Sequence, residues 1–441
     1  MAHQAHNIPW TLLASNLRWV PGSCGHCHNY DLHPRFKPDQ GKELKHFAKA
    51  FAKNVEEHAR CERRKYCDKY DTPGSTDVII DGNTATKIQP TVRRWLKTCK
   101  EESPRVDYVR GWDKGQSMEE PTFQCPALPR EERIASAFCR RYRTTGCYTF
   151  FYQRQSSGYF NMELVKTLIV CGEMEPILRV CAHPDVAING WRHIDECGCG
   201  LFDLGWDQVY KKALLAYVCL NTIYCFPELW DSASGKNEHS DYRNTRSYQL
   251  MVTESTRPGA TSHVVAYPHR QFFGIKDPGS TSFSTTSRAW TLRWGQYADK
   301  SGRFQVGKIY GKASFGDFLA MQNLAEYEPA LPDTEEVRSM LCFKGIPFEI
   351  ALDIMELANY TPKRRLNVPH DPFHPSNTEE LAKYLKYCWQ LLVRCDMMAN
   401  ELGMKLDWED AVTDCVRQLW EAKGHRRLTK LWRDDERWIF E

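Results

Sequence analysis

The chain has 441 residues, of which 42% are apolar and 26% are charged, and its formal net charge at pH 7 is +3. These fractions are ordinary for a globular protein and exclude a chain that is disordered throughout. The length allows about two or three domains with a large core. The nearly balanced charge gives no whole-molecule field that would attract nucleic acid.

The N-terminus has neither the basic region nor the apolar core of a secretory signal. No apolar run approaches the roughly 20 residues that are needed to span a bilayer. We therefore expect an intracellular protein, in the cytoplasm or nucleus, that is neither secreted nor embedded in a membrane. The 18 cysteines are then expected to be reduced thiols.

The hydrophobic pattern predicts an α+β fold that is predominantly helical, with a central antiparallel β section and a C-terminal block of three helices. We predict four regions along the chain: an N-terminal loop with a basic amphipathic helix (1–70), a linker-like excursion (71–125), a central α+β domain (126–340) and a C-terminal helical block (341–441).

The first predicted helix runs from about Gly41 to Arg64 and is amphipathic. Apolar residues recur on one face, and lysines line the other; the apolar set is Leu44, Phe47, Ala48, Phe51 and Val55. The stretch 71–125 is polar, is interrupted by proline and glycine, and lacks periodicity, which is typical of a linker or a long surface excursion.

The central domain is predicted to be helical over 126–230, with a strong helix from Trp206 to Cys225. The alternation of Tyr248, Leu250 and Val252 then predicts strands within 246–312. An acidic helical connector follows at 313–340.

Three helices are expected in the C-terminal block. The first is short, from Pro347 to Ala358, with proline in its first turn. The second carries a continuous apolar seam from Leu381 to Leu402, and the third begins at Asp407.

Cysteines near the N-terminus suggest a structural zinc site. Thiolates with two residues between them can reach one zinc ion from a tight turn. We predict Cys24, Cys27, Cys61 and Cys67 as the ligands, with His26, His28 and His58 as alternatives. The competing interpretation is a set of unpaired thiols in loops. A second cluster, His193 with Cys197 and Cys199, is compatible with metal binding or with a glycine-rich turn between helices. A third, His370 with Asp371 and His374, is compatible with metal binding or acid–base chemistry, or with a rigid, solvated connector.

The basic face of the first helix is a candidate for contacting phosphates. It consists of Lys45, Lys49, Lys53, Arg63 and Arg64. Glutamates interleave with these side chains, so an ordinary solvated helix face is the competing interpretation.

The short helix near the C-terminus resembles the first helix of the F-box, a pattern of the type Leu-Pro-x-Glu-Ile-x-x-x-Ile. The matching residues are Ile346, Pro347, Glu349, Ile350 and Ile354. In this respect the chain is similar to fungal proteins that carry a degenerate F-box segment. The resemblance implies that Pro347, Glu349, Ile350 and Ile354 dock on the adaptor subunit of a cullin-type ubiquitin ligase. The competing interpretation is an ordinary amphipathic helix with proline at its start.

We find no phosphate-binding loop, dinucleotide fingerprint or nucleophile elbow in the sequence. The leading hypothesis is therefore a non-catalytic interaction or adaptor protein, with an F-box-like role as substrate adaptor of a ubiquitin ligase. The alternative hypothesis is a zinc-stabilised nucleic-acid-binding protein.

Overall fold

The fold is described from a computed structural model. The structure describes residues 7–20, 31–34, 40–102, 128–141, 157–193, 205–237, 240–256, 263–273, 329, 331–358, 360, 365–368 and 370–420.

Helices dominate the described chain, and a small antiparallel sheet accompanies them, which confirms the predicted α+β, predominantly helical class. The strands are β1 (Leu17–Val20) and β2 (Asp31–Pro34). The helices are α1 (Trp10–Ser15), α2 (Gln40–Arg63), α3 (Gly82–Glu102), α4 (Ser157–Cys171), α5 (Glu175–Cys181), α6 (Asp207–Tyr224), α7 (Arg246–Thr256), α8 (His263–Phe273), α9 (Leu331–Phe343), α10 (Phe348–Leu357), α11 (Thr378–Glu401) and α12 (Trp408–Trp420). None of these described helices is both long and apolar enough to cross a bilayer.

The core is built around α6, which is buried along nearly its whole length. It packs against α7, α11 and α12, and α2 packs against α11 and α12 from the other side. An aromatic cluster joins these layers: the Trp389 ring lies 5.5 Å from Phe51 and 5.3 Å from Tyr217, measured between ring centroids. The N-terminal and C-terminal parts of the sequence therefore share one core, whereas the domain boundaries predicted above stay predictions.

Several helices agree with the sequence patterns. The apolar face of α2 is buried as predicted, from Leu44 through Val55. The seam of α11 is buried at Leu381, Cys388 and Cys395. The strong helix predicted from Trp206 to Cys225 corresponds to α6.

The antiparallel sheet lies elsewhere than predicted. Its strands pair Leu17 with Pro34 and Trp19 with Leu32, near the N-terminus. Within the predicted β section 246–312, residues 246–256 and 263–273 form helices α7 and α8, so the strand prediction was wrong there. The other residues of that section lie outside the described part.

The reason for this error is that α7 is buried on almost every side. The polar residues that seemed to alternate with its apolar residues are also internal. The Ser247 hydroxyl donates to the Asp31 carboxylate at 2.7 Å, and the Gln249 amide donates to the Arg243 carbonyl at 3.2 Å. The alternation of apolar and polar residues therefore did not indicate a strand with one buried and one exposed face, because both sets of residues are buried in a helix.

The predicted linker-like excursion contains helix α3. Its buried residues Ile88, Val92 and Trp95 recur at helical spacing. Asp81 accepts a hydrogen bond from the Thr84 backbone N–H at 2.7 Å and so caps the helix. The sequence prediction was therefore wrong for 82–102, and residues 103–125 lie outside the described part.

Candidate functional site

The candidate site is a helical hairpin with an apolar surface, formed by α9, the turn after it and α10. We call residues 331–357 the apolar hairpin. In the described part of the chain, the large apolar side chains that are exposed all lie here: Leu331, Met340, Phe343, Phe348, Ile350, Leu352, Ile354 and Leu357. Their exposed fractions range from 40% at Ile354 to 90% at Phe343. Exposed apolar side chains grouped in one segment mark an interaction site more often than scattered surface residues do.

A glycine turn brings the two helices together. Gly345 has a φ of +89°, a left-handed conformation that glycine adopts without steric cost. The Ile346 backbone N–H donates to the Leu341 carbonyl at 3.2 Å and closes the end of α9. Pro347 precedes the first residue of α10, and its carbonyl accepts from the Ala351 N–H at 2.9 Å. The two helices contact each other.

The side chains of α10 form three kinds of stripe. Ala351 and Met355, four residues apart, are its buried residues. Exposed apolar residues occupy both flanks of that narrow stripe, with Ile350, Ile354 and Leu357 on one side and Phe348 and Leu352 on the other. The acidic residues Glu349, Asp353 and Glu356 lie on the face of the helix opposite Ala351 and Met355. A helix with so wide an apolar surface needs more cover than α9 provides.

The residues predicted to bind a partner are grouped on this hairpin. Pro347, Glu349, Ile350 and Ile354 are all exposed at the start and middle of α10. The sequence did not point to the exposed residues of α9, because 313–340 was interpreted as an acidic connector. The signal that could have found them is the combination of Met340 and Phe343 directly before a glycine turn and a second apolar helix.

The predicted zinc site is only partly within the described residues. Cys24, Cys27, His26 and His28 lie outside them. Cys61 and Cys67 are exposed thiols, and the Cys67 thiol donates to the Lys69 carbonyl at 3.1 Å. The alternative ligand His58 accepts a hydrogen bond at Nδ1 from the Trp389 indole N–H at 2.7 Å. Within the described segments no group of three or more His, Cys, Asp or Glu residues is arranged to hold a metal ion. The zinc site stays a prediction.

The predicted nucleic-acid face has a mixed environment. Lys45, Lys49 and Lys53 are exposed on α2, and Arg64 is exposed directly after it. Arg63 instead forms an ion pair with Glu401 at 2.6 Å, which joins α2 to α11.

A groove of about 690 Å³ opens between α2 and α12 beside Lys45. Its lining includes the carboxylates of Glu56, Asp407, Glu409 and Asp410 as well as the cations Lys405 and Arg417. Carboxylates in this position would repel a phosphate backbone. Nucleic-acid binding stays a prediction.

The histidine clusters have structural partners. Asp371 accepts a hydrogen bond from the Tyr242 hydroxyl at 2.7 Å and lies 3.4 Å from the Lys236 ammonium. The Nδ1 atom of His374 accepts from the Ser376 N–H at 3.2 Å. The Asp371 contacts anchor the segment before α11 to Lys236 and Tyr242. His193 lies 3.1 Å from the Asp207 carboxylate, whereas Cys197 and Cys199 lie outside the described residues.

One buried histidine was not identified from the sequence as a titrating group. The side chain of His269 on α8 is fully buried, and its Nδ1 shares a hydrogen bond of 2.6 Å with the Tyr384 hydroxyl of α11. Burial, and to a lesser degree the nearby Lys212 charge, lowers the pKa of His269 to about 3.

This histidine predicts a pH dependence of stability. In the unfolded chain its pKa is near 6.5, so below that pH the unfolded state binds a proton that the native state does not. Stability is therefore lost as pH falls through 6.5 towards 3, and the loss from this group at pH 5 is about 2 kcal/mol. Urea unfolding at pH 7 and pH 5 should show this difference in the wild-type chain. The drop should be about 2 kcal/mol smaller in a His269→Asn variant; an equal drop in both proteins would contradict the assignment.

Comparison with known proteins gives one family match. The family model described as gramillins biosynthetic cluster protein GRA5 matches residues 11–429. No curated protein matches the chain, and no solved structure matches it.

No F-box model matched, and the matching family spans nearly the whole chain. The resemblance to the F-box, and the similarity to fungal proteins with a degenerate F-box segment, were therefore wrong. The residues that carried it have a local explanation. Pro347 begins α10 because proline needs no N–H donor there, and Glu349 in the first turn is favoured by the helix dipole. With a family model covering residues 11–429, the chain belongs to the family of gramillins biosynthetic cluster protein GRA5.

Proposed function

We propose that this chain is a non-catalytic interaction protein of a biosynthetic cluster, and that its apolar hairpin docks another protein encoded by that cluster. The observation that carries the proposal is the grouping of exposed large apolar side chains in residues 331–357. The family description supplies the setting, since it places such chains in a biosynthetic cluster.

The energetics favour a partner on this surface. Complete burial of an exposed isoleucine or leucine side chain contributes roughly 1.5–3 kcal/mol to the binding free energy. Ile350 and Leu352 are 48% and 42% exposed, and Leu357 is 88% exposed, so the hairpin has apolar area left to bury. Much of this area lies on one rigid helix, which reduces the ordering cost of association.

The test is binding between the purified full-length chain and each protein of the cluster, followed by substitution of the hairpin. A double variant with Ile350→Asp and Ile354→Asp should bind the partner at least about 100-fold more weakly, because two carboxylates would be placed in an apolar contact. Isothermal titration calorimetry measures the change, and circular dichroism checks that the helices remain.

The matched control is Lys49→Asp with Lys53→Asp on α2, which introduces the same groups on an exposed helix away from the hairpin. This control should leave the affinity unchanged within about twofold. The proposal is overturned if no protein of the cluster binds the wild-type chain, or if the hairpin variant binds as tightly as the control.

A further inference from the structure

The apolar hairpin carries a strongly acidic rim. Residues 331–357 contain six acidic and two basic side chains, for a formal charge of −4, although the whole chain is at +3. The acidic residues are Asp333, Glu335, Glu336, Glu349, Asp353 and Glu356. Of the two basic residues, Arg338 lies over the Phe348 ring, with its guanidinium carbon 5.2 Å from the ring centroid. The charge around the exposed apolar residues is therefore predominantly negative.

The acidic groups flank the apolar stripe on α10. Glu349 and Asp353 are four residues apart and come directly before Ile350 and Ile354 in the sequence. Helical geometry puts them on the side away from the buried Ala351. A ligand seated on Ile350 and Ile354 would therefore have carboxylates along one edge. The stripe is part of a ten-residue helix, which corresponds to a length of about 15 Å.

This charge distribution discriminates between occupants. A second copy of the chain that packed hairpin against hairpin would bring like charges together, which is unfavourable at an interface. A bilayer with anionic lipids would be repelled for the same reason, because surface helices that bind such membranes carry Lys and Arg on their polar face. The occupant with complementary chemistry is a protein helix whose apolar stripe is bordered by basic residues.

We propose that the hairpin binds an amphipathic helix of the partner, with apolar residues at positions i, i+4 and i+7 and with Lys or Arg beside them. This inference rests on the proposed function and specifies the chemistry of the partner. The apolar stripe Ile350, Ile354 and Leu357 supplies affinity, and Glu349 with Asp353 selects a basic helix and fixes its orientation.

The test is charge reversal in the full-length chain, measured against the partner that binds the wild type. Glu349→Lys with Asp353→Lys should weaken binding by at least about tenfold, because attraction becomes repulsion at both positions. Wild-type affinity should also fall when salt is raised from about 0.05 to about 0.5 M, and the variant should lose or invert this dependence. The control variant is Glu131→Lys with Glu228→Lys, which makes the same change of charge at exposed sites outside the hairpin.

The outcomes separate this inference from the proposed function. If Ile350→Asp with Ile354→Asp weakens binding while charge reversal and salt have no effect, the hairpin docks a partner but the basic helix is wrong. The basic-helix proposal is also overturned if the wild-type chain dimerises in gel filtration through Ile350, or if it binds vesicles of phosphatidylserine and phosphatidylcholine through that residue. If charge reversal weakens binding and partner Lys→Glu substitutions restore it, the inference is supported.

Discussion

A Trp389→Ala variant is expected to lose about 3–5 kcal/mol of its free energy of unfolding, the range for removing a large aromatic side chain from a packed core. Trp389 is 4% exposed and lies where α11 meets α2 and α6. Its ring contacts Phe51 and Tyr217 edge-on or tilted, geometries that add to the area burial. Urea unfolding followed by far-UV circular dichroism measures the loss, since this signal does not depend on the deleted indole.

A His58→Ala variant separates the hydrogen bond of Trp389 from its packing. His58 accepts from the indole N–H at 2.7 Å and lies on the exposed side of α2. Its loss should cost only about 1 kcal/mol, because the freed indole N–H can bond to water at this edge of the core. If the Trp389→Ala variant also lost only about 1 kcal/mol, the shared core of α2, α6 and α11 would be contradicted.

A Glu163→Gln variant is expected to lose about 3–5 kcal/mol of its free energy of unfolding, since it removes the carboxylate that pairs with a buried ammonium. Glu163 and Lys166 form an ion pair of 2.6 Å on α4, with side-chain exposures of 1% and 0%. The same helix packs against α3 and α8, so water cannot readily reach the remaining charge.

The double variant Glu163→Leu with Lys166→Met is the control for this pair. It removes both charges and keeps similar volumes, so its loss should be well below that of Glu163→Gln. Thermal and urea unfolding of the single and double variants measure the coupling. The single variants for this comparison are Glu163→Leu and Lys166→Met. If the double variant lost as much free energy of unfolding as these two single variants together, the two charges would act independently.

Amphipathic helices were predictable from the sequence because their burial follows a single face. In α2 and α11 the apolar residues recur at steps of three and four, and the structure buries that face. Helix α7 was not predictable in this way, because Ser247 and Gln249 are buried with hydrogen-bond partners outside the helix, and the Ser247 partner Asp31 lies 216 residues away. Such partners cannot be identified from local periodicity.

The candidate site was predictable in part. The exposed positions Ile350 and Ile354 were identified through a short motif whose family assignment was wrong. The motif contained real information on a helix start, since Pro347 and Glu349 suit that position. The motif could not reveal that only Ala351 and Met355 of α10 are buried, nor that the apolar residues on both sides of them stay exposed. That outcome depends on which helix packs against α10, a tertiary property.

Hydrogen–deuterium exchange of the full-length chain, alone and with its partner from the biosynthetic cluster, tests the central claim most directly. Amides that become buried or more rigid in a complex exchange more slowly. We predict that the partner slows exchange within 331–357, most strongly along α10, and leaves the exposed face of α2 unchanged. The account would be contradicted if the partner slowed exchange from Lys45 to Arg64 and left exchange in the hairpin unchanged.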